Sequence, residues 1–196
     1  MDICNISSIE NHLKETDLIQ AISQGDQDAF KSLYNATSTN VFNTALSYSQ
    51  DTNDAEEITQ LVYIKIHKYA HSFQGNSTVN TWVYRITVNA SLDFLKKKNR
   101  FSFMSTSLTN QESPDFEHPG IILEKKEEGK ALFSVIKGLP ESQKTAFILS
   151  YIKDLPRQEV ADIMEVSLKA VESLLQRAKS NLRKELKNTY PHRRKK

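Results

Sequence analysis

The sequence predicts an all-α fold of two small helical domains joined by a flexible linker, the second domain containing a helix-turn-helix. Three observations carry this prediction. The 196 residues include only five glycines and five prolines, too few for the many turns of a sandwich or barrel. Apolar residues recur every three or four positions along most of the chain, as on one face of a helix. Residues 101–120 are rich in Ser, Thr, Asn and Asp and lack this period, which is typical of a linker.

Four helices are expected in the first half. A short amphipathic segment near Asp17 precedes a helix with Asp26 as its N-cap. The third helix begins within residues 51–54, and residues 74–77 end it. The fourth runs from about Thr78 to Asn99. The predicted buried stripes of the second, third and fourth helices are Phe30, Leu33, Thr37, Val41, Ala45 and Tyr48; Ile58, Val62, Ile66, Tyr69 and Phe73; and Val79, Val83, Ile86, Ala90 and Phe94.

The second half is expected to begin near Ile121 with a short helix that ends around Gly138. Pro140 opens another helix, and Pro156 opens a short one that ends at Met164. A tight turn follows, with Ser167 as the N-cap of a long last helix on the stripe Val171, Leu175, Ala178, Leu182 and Leu186. A short helix, tight turn and longer helix predict a helix-turn-helix, whose second helix enters the major groove of DNA.

The predicted division is a first domain, a linker, a second domain and a basic tail, at residues 1–100, 101–123, 124–187 and 188–196. Because the linker is aperiodic and contains Pro114 and Pro119, we expect the two domains to move independently.

Charge is unevenly distributed, although the formal net charge is only +2. Residues 1–80 hold 4 basic and 10 acidic side chains, and residues 81–196 hold 22 basic and 14 acidic ones. The basic second part favours nucleic acid as a partner, with an ordinary solvated surface as the alternative.

Composition also excludes several classes of protein. A single cysteine, Cys4, excludes an internal disulfide. The apolar stretches are too short to cross a bilayer, and no secretory signal is recognisable, so we expect a cytoplasmic protein without membrane insertion. His67 and His71 have the i, i+4 spacing of zinc ligands but lack a third ligand. We therefore expect no metal, no cofactor, no catalytic residues and no enzymatic activity.

The fourth helix carries a cationic face. Arg85, Asn89, Lys96 and Arg100 fall within about 60° of one another at 100° per residue, and Lys97 lies beside them. Such a face can bind phosphates while the Asn89 amide pairs with a base edge. The aromatic side chains that could stack on an unpaired base are Phe73 and Trp82. The alternative is a solvated face with aromatic residues in the core.

The last helix carries a second polar face, which begins at its N-cap. Early residues of the second helix of a helix-turn-helix meet base edges. The amide of Gln176 suits adenine, and the carboxylate of Glu172 can accept from cytosine. The candidate residues are Ser167, Lys169, Glu172, Ser173, Gln176 and Arg177, with an ordinary amphipathic surface as the alternative.

Two blocks of the sequence resemble extracytoplasmic-function (ECF) sigma factors of bacterial RNA polymerase. Residues 54–63 (DAEEITQLVY), 73–75 (FQG) and 81–89 (TWVYRITVN) are similar to region 2 of that family. Residues 139–141 (LPE), 159–163 (EVADI) and 170–179 (AVESLLQRAK) are similar to region 4. The blocks lie in family order within residues 17–100 and 124–187.

The resemblance implies the roles of both domains. Region 2 docks on the clamp of the polymerase core, here through Asp54, Glu57 and Gln60, and melts the minus-ten element. Region 4 binds the minus-thirty-five element and the flap. An anti-sigma factor is a further expected partner. Leu61, Glu172 and Leu174 depart from residues common in the family, and Glu172 leaves the minus-thirty-five preference open. A helix-turn-helix regulator and a sigma mimic that sequesters an anti-sigma factor remain as alternatives.

Overall fold

The computed structural model describes residues 16–104 and 126–189, and no β-strand occurs within them. A short 3₁₀ turn, Ala70–Ser72, follows the third helix, and a π-helical segment, Ile148–Ile152, extends the sixth. The helices are α1 (residues 16–23), α2 (Gln27–Ser49), α3 (Thr52–Tyr69), α4 (Val79–Met104), α5 (Lys126–Lys137), α6 (Glu141–Phe147), α7 (Arg157–Met164) and α8 (Leu168–Thr189). The predicted all-α class is confirmed.

The first unit, α1 to α4, is built on the predicted caps and stripes. The Asp26 carboxylate accepts from the backbone N–H groups of Asp28 and Ala29, which satisfies donors that the start of a helix leaves unpaired. Its core combines the buried faces of the four helices, with Ile22, Leu33, Val41, Ile58, Val62, Ile66 and Val83 among its members. Tyr69 is an exception, because it ends α3 and is 43% exposed rather than buried.

The second unit, α5 to α8, contains the predicted helix-turn-helix. Helix α7 ends at Met164, and the cap residue that follows, Glu165, adopts the left-handed backbone conformation at φ 55°. The hydroxyl of Ser167 then accepts from the backbone N–H of Ala170 at 3.2 Å, as predicted for the N-cap of α8. Val160 and Val171 are fully buried between α7 and α8, and they fix the relative position of the two helices.

The two units share one apolar cluster. Tyr84 and Val88 of α4, with Tyr48 of α2, are buried together with residues of the second unit such as Phe133 and Ala146. Half-buried Leu92 and Leu95 of α4 pack against the same cluster. The two units are packed together in this conformation, because α4 has a second apolar face beside the predicted stripe. Their independent motion stays a prediction.

The predicted ends of the first and second domains each fall inside a helix. Helix α4 continues to Met104, into the first residues of the predicted linker, and α8 continues to Thr189. The rest of the predicted linker and tail lies outside the described residues, as does Cys4. No helix in the described part of the chain is both long enough and apolar enough to cross a membrane.

Candidate nucleic-acid interface

The polar face of α4 is partly open to solvent. Asn89, Lys97 and Arg100 are exposed, and Lys96 is exposed but paired. Its Nζ lies 2.9 Å from the Glu141 carboxylate at the start of α6. An exposed amide with cations on both sides on a rigid helix can combine base recognition with phosphate binding.

Arg85 is a predicted DNA contact, but in the structure its side chain binds residues of the second unit. Its Nε and Nη2 donate to the backbone carbonyl of Asp162 at 3.1 Å and 2.7 Å. Its Nη1 lies 3.2 Å from the carboxylate of Glu165. The guanidinium is thus directed at the end of α7 in the second unit.

The predicted aromatic pair lies at the N-terminal end of α4. Phe73 and Trp82 are both half-buried, and their ring centroids are 5.2 Å apart at 53°. Thr78 caps the helix there, since its hydroxyl accepts from the backbone N–H of Thr81 at 3.1 Å. The two rings pack against the core of the first unit, and the part of each ring that remains exposed is available for stacking.

The three residues of α3 that are predicted to dock on polymerase differ in solvent exposure and in their partners. Glu57 and Gln60 are exposed, whereas the Asp54 side chain is only 13% exposed and lies 2.7 Å from Lys98 of α4. A groove of about 740 Å³ separates the two helices here and is lined by Asp54, Glu57, Leu61, Lys65, Ala90, Asp93, Phe94, Lys97, Lys98 and Phe101. Of the three predicted docking residues, Asp54 has a structural partner and the other two face solvent.

The polar face of α8 is exposed at Lys169, Gln176 and Arg177, and Ser173 is half-buried. Glu172 lies 3.8 Å from Arg157, the first residue of α7. Because both side chains are about half exposed, solvent weakens this ion pair. The pair places a cation beside the carboxylate on the face that the sequence predicts to meet DNA.

A cluster around Tyr151 lies outside the residues that the sequence predicts to bind DNA. The Nζ of Lys179 lies 4.6 Å from the centroid of the Tyr151 ring, close enough for a cation–π interaction. Lys179 and, to a smaller extent, Arg157 lower the pKa of the Tyr151 phenol. No local motif indicates this cluster, since its members come from three separate segments of the second unit.

The histidine pair has no metal-site geometry. His67 packs edge-on against Phe30, with ring centroids 5.9 Å apart, and His71 lies in the 3₁₀ turn. Among residues 16–104 and 126–189, no three or more His, Cys, Asp or Glu side chains are grouped to hold a metal ion.

Comparisons with known proteins match both units. The family profile of sigma-70 region 2 matches residues 33–101, and that of sigma-70 region 4 matches residues 130–182. The ECF RNA polymerase sigma factor SigW of Bacillus subtilis is 25% identical over 178 residues, covering 87% of this chain and 95% of the relative. The ECF RNA polymerase sigma-E factor of Escherichia coli K12 is 28% identical over 180 residues, covering 87% and 93%.

Two solved structures share the fold. CnrH in complex with the cytosolic domain of CnrY has a TM-score of 0.63 at 18% identity, covering 89% of this chain and 97% of that one. The sigma factor RpoE in complex with the anti-sigma factor NepR, from Bartonella quintana, has a TM-score of 0.63 at 20% identity, covering 81% and 96%.

Two helical units with exposed polar faces, matched in order by regions 2 and 4, define a promoter-specific transcription initiation factor. The chain belongs to the sigma-70 family, and the curated relatives that it resembles over most of its length are ECF sigma factors. Its partners are RNA polymerase core and promoter DNA, and proteins of this family regulate transcription rather than act as enzymes.

Proposed function

We propose that this sigma factor binds polymerase core through α3, the minus-ten element through α4 and the minus-thirty-five element through α8. The observation that carries the proposal is the match of regions 2 and 4, in family order, to two units that each expose a polar helix face. The functional division is residues 1–100 for polymerase and minus-ten binding, 101–123 as linker, 124–187 for minus-thirty-five binding and 188–196 as a basic tail.

In the minus-ten site, base recognition and strand binding are separate tasks. Asn89 reads a base edge that becomes available once the base leaves the stack. Phe73 and Trp82 at the helix start offer ring surface to an unstacked base. The cations Arg85, Lys96, Lys97 and Arg100 bind phosphates and supply affinity that does not depend on sequence.

The polymerase-docking surface is centred on Glu57 and Gln60, which support this role by their exposure. Asp54 contributes charge to the same surface but also holds Lys98. Changing Asp54 to lysine would bring two ammonium groups together and disturb the α3–α4 contact. Glu57 is therefore the better residue for testing docking.

In the minus-thirty-five site, α8 enters the major groove with its N-terminal turns first. Gln176 and Ser173 face the bases, and Lys169, Arg177 and the Ser167 cap lie toward the phosphates. Glu172 accepts from a cytosine amine when Arg157 releases it, and Arg157 then binds the DNA backbone at the start of α7.

An anti-sigma factor completes the set of partners. The solved structures of similar fold are complexes, one with the cytosolic domain of CnrY and one with the anti-sigma factor NepR. A protein that binds polymerase and DNA acts in the cytoplasm. The anti-sigma factor would keep it from polymerase until a signal releases it.

Run-off transcription with purified core polymerase tests the proposal. Genomic templates identify promoters, and Asn89→Ala is then compared with Asn35→Ala, which removes an exposed amide from α2. We expect Asn89→Ala to reduce initiation from duplex promoters and relax one minus-ten position, at about 1–3 kcal/mol. A premelted template should restore part of the activity, and Asn35→Ala should resemble wild type.

Two results would contradict the proposal. Absence of core-dependent transcription on every template would favour a regulator or a sigma mimic. An equal loss of affinity for all minus-ten sequences in Asn89→Ala would reduce Asn89 to a backbone contact.

A further inference from the structure

Tyr151 lies where the backbone of the second unit departs from regular α-helical geometry. It belongs to the π-helical segment Ile148–Ile152. Asp154, three residues further on, adopts the left-handed backbone conformation at φ 54°. π-helical turns are rare and frequently occur at functional sites, and positive φ is uncommon for residues with a side chain. The backbone geometry thus marks Tyr151 as a position to examine for a ligand.

The ring of Tyr151 is held by packing, whereas its hydroxyl is open to solvent. The ring lies against Phe147, with centroids 5.0 Å apart at 43°, yet 40% of the residue is exposed. A hydroxyl on a fixed ring loses little conformational freedom when it forms a hydrogen bond. Tyr151 therefore offers a positioned donor at the surface.

Two cations approach this hydroxyl from two other helices. Lys179 of α8 has its Nζ 4.6 Å from the ring centroid, and Lys179 and Arg157 of α7 together lower the pKa of the phenol. Since a more acidic phenol is a stronger hydrogen-bond donor, the arrangement favours an anionic acceptor. Glu172 competes for Arg157 at 3.8 Å, but both side chains are about half exposed, so this ion pair is weak.

The cluster lies beside the face of α8 that is proposed to enter the major groove. Lys179 follows Glu172 by seven residues, which places it about 10.5 Å further along the helix and within about 20° of the same side. A helix nearly fills the width of the major groove, so its flanks meet the sugar–phosphate backbone. A tyrosine hydroxyl with lysine and arginine is a set of groups that binds phosphate oxygens of DNA.

We propose that Tyr151, Lys179 and Arg157 bind one backbone phosphate beside the minus-thirty-five element. The phenol donates a hydrogen bond to a phosphate oxygen, and the two cations balance the charge. The contact carries no sequence information and fixes the position of α8 in the groove. This inference rests on the proposed binding of the minus-thirty-five element by α8, and it adds a donor from a segment that precedes the helix-turn-helix.

Replacement of single phosphates by uncharged methylphosphonate tests the site. The probe is a duplex that carries the minus-thirty-five element of a promoter mapped by transcription and ends upstream of the minus-ten element. Binding to the full chain assembled with core polymerase is measured by fluorescence anisotropy. We expect Tyr151→Phe to weaken binding about three- to tenfold on every sequence, as for the loss of one hydrogen bond. Lys179→Gln should also flatten the plot of log affinity against log salt by about one unit.

The methylphosphonate series locates the phosphate. One position flanking the element should weaken wild type, and the same position should have little further effect on Tyr151→Phe and Lys179→Gln, which already lack its partners. The matched control is the exposed pair of Tyr69 and Lys68 on α3, where Nζ lies 5.4 Å from the ring centroid. Tyr69→Phe and Lys68→Gln make the same chemical changes and should bind as wild type does.

Two results would overturn this inference. The first is a Tyr151→Phe variant that binds as tightly as Tyr69→Phe does. The second is a weakened Tyr151→Phe variant that stays as sensitive as wild type to every methylphosphonate, which would indicate a structural effect. Gln176→Ala separates the inference from the proposed function. If it weakens binding to the element while Tyr151→Phe does not, only the phosphate site is wrong, and if neither variant weakens binding, the proposed role of α8 is also wrong.

Discussion

Tyr48 and Tyr63 are both buried, but their hydroxyls differ in hydrogen bonding, so the substitution Tyr→Phe should have different effects on stability at the two positions. Tyr48 is 1% exposed. Its hydroxyl faces the buried hydroxyl of Thr145 but makes no hydrogen bond of normal geometry within the described structure. Tyr63 is 6% exposed, and its hydroxyl lies 2.8 Å from that of Thr37. Tyr→Phe removes one oxygen in both cases, so the sign of the stability change reports whether that oxygen has a partner.

The expected magnitudes follow from these surroundings. A buried, unsatisfied polar group costs about 1–3 kcal/mol, so we expect Tyr48→Phe to raise the free energy of unfolding by about 1 kcal/mol. The Thr145 hydroxyl, which faces Tyr48, stays buried in that variant and loses this neighbour, which limits the gain. Tyr63→Phe should lower the free energy of unfolding by about 0.5–1.5 kcal/mol, the net value of one hydrogen bond. Thr37 keeps its 2.7 Å bond to the carbonyl of Leu33, which prevents a larger loss.

Urea unfolding followed by circular dichroism measures both changes, and thermal unfolding provides a second estimate. For a chain of this size, 1 kcal/mol corresponds to a shift in Tm of about 2–4 °C. If Tyr48→Phe destabilises the protein as much as Tyr63→Phe does, the Tyr48 hydroxyl has a partner in solution. The reasoning that this hydroxyl is buried without a hydrogen bond would then fail.

Four further predictions concern charge, salt, pH and capping. Glu57→Lys should weaken binding to polymerase core about tenfold, or about 1.4 kcal/mol, in fluorescence anisotropy, while Glu56→Lys on the same helix should change it little. Lys97→Ala should weaken binding to every DNA sequence and flatten the plot of log affinity against log salt by about one unit. Burial raises the pKa of the Tyr48 phenol above its ordinary value of 10.0, so the folded state holds this proton more tightly. Its contribution to stability is complete below pH 10 and falls as the pH rises further; pH-dependent urea unfolding should show a smaller fall in Tyr48→Phe. Asp26→Ala should lower the free energy of unfolding by about 0.5–2 kcal/mol through loss of the α2 cap, and an unchanged urea midpoint would contradict this.

Local sequence was sufficient for the helices and for the capped starts of several of them. The caps at Asp26 and Ser167 and the break at residues 74–77 were predictable, because capping and turn formation depend on side chains within a few residues. The helix-turn-helix was predictable for the same reason. The predicted burial of Tyr69 is wrong, because periodicity continues the stripe of α3 to its last residue, which is 43% exposed in the described structure.

The sequence by itself determined the all-α class, the two units and the residues that share each helix face. Only the tertiary structure decided which face meets which neighbour. Arg85 belongs to a cationic stripe by periodicity, yet it binds the end of α7, and Glu172 is paired with Arg157. Tyr84 and Val88 are buried because a second unit packs there. Helical periodicity arises from contacts three or four residues apart, whereas these partners are separated by 15 residues or more, and their meeting depends on the packing of whole helices.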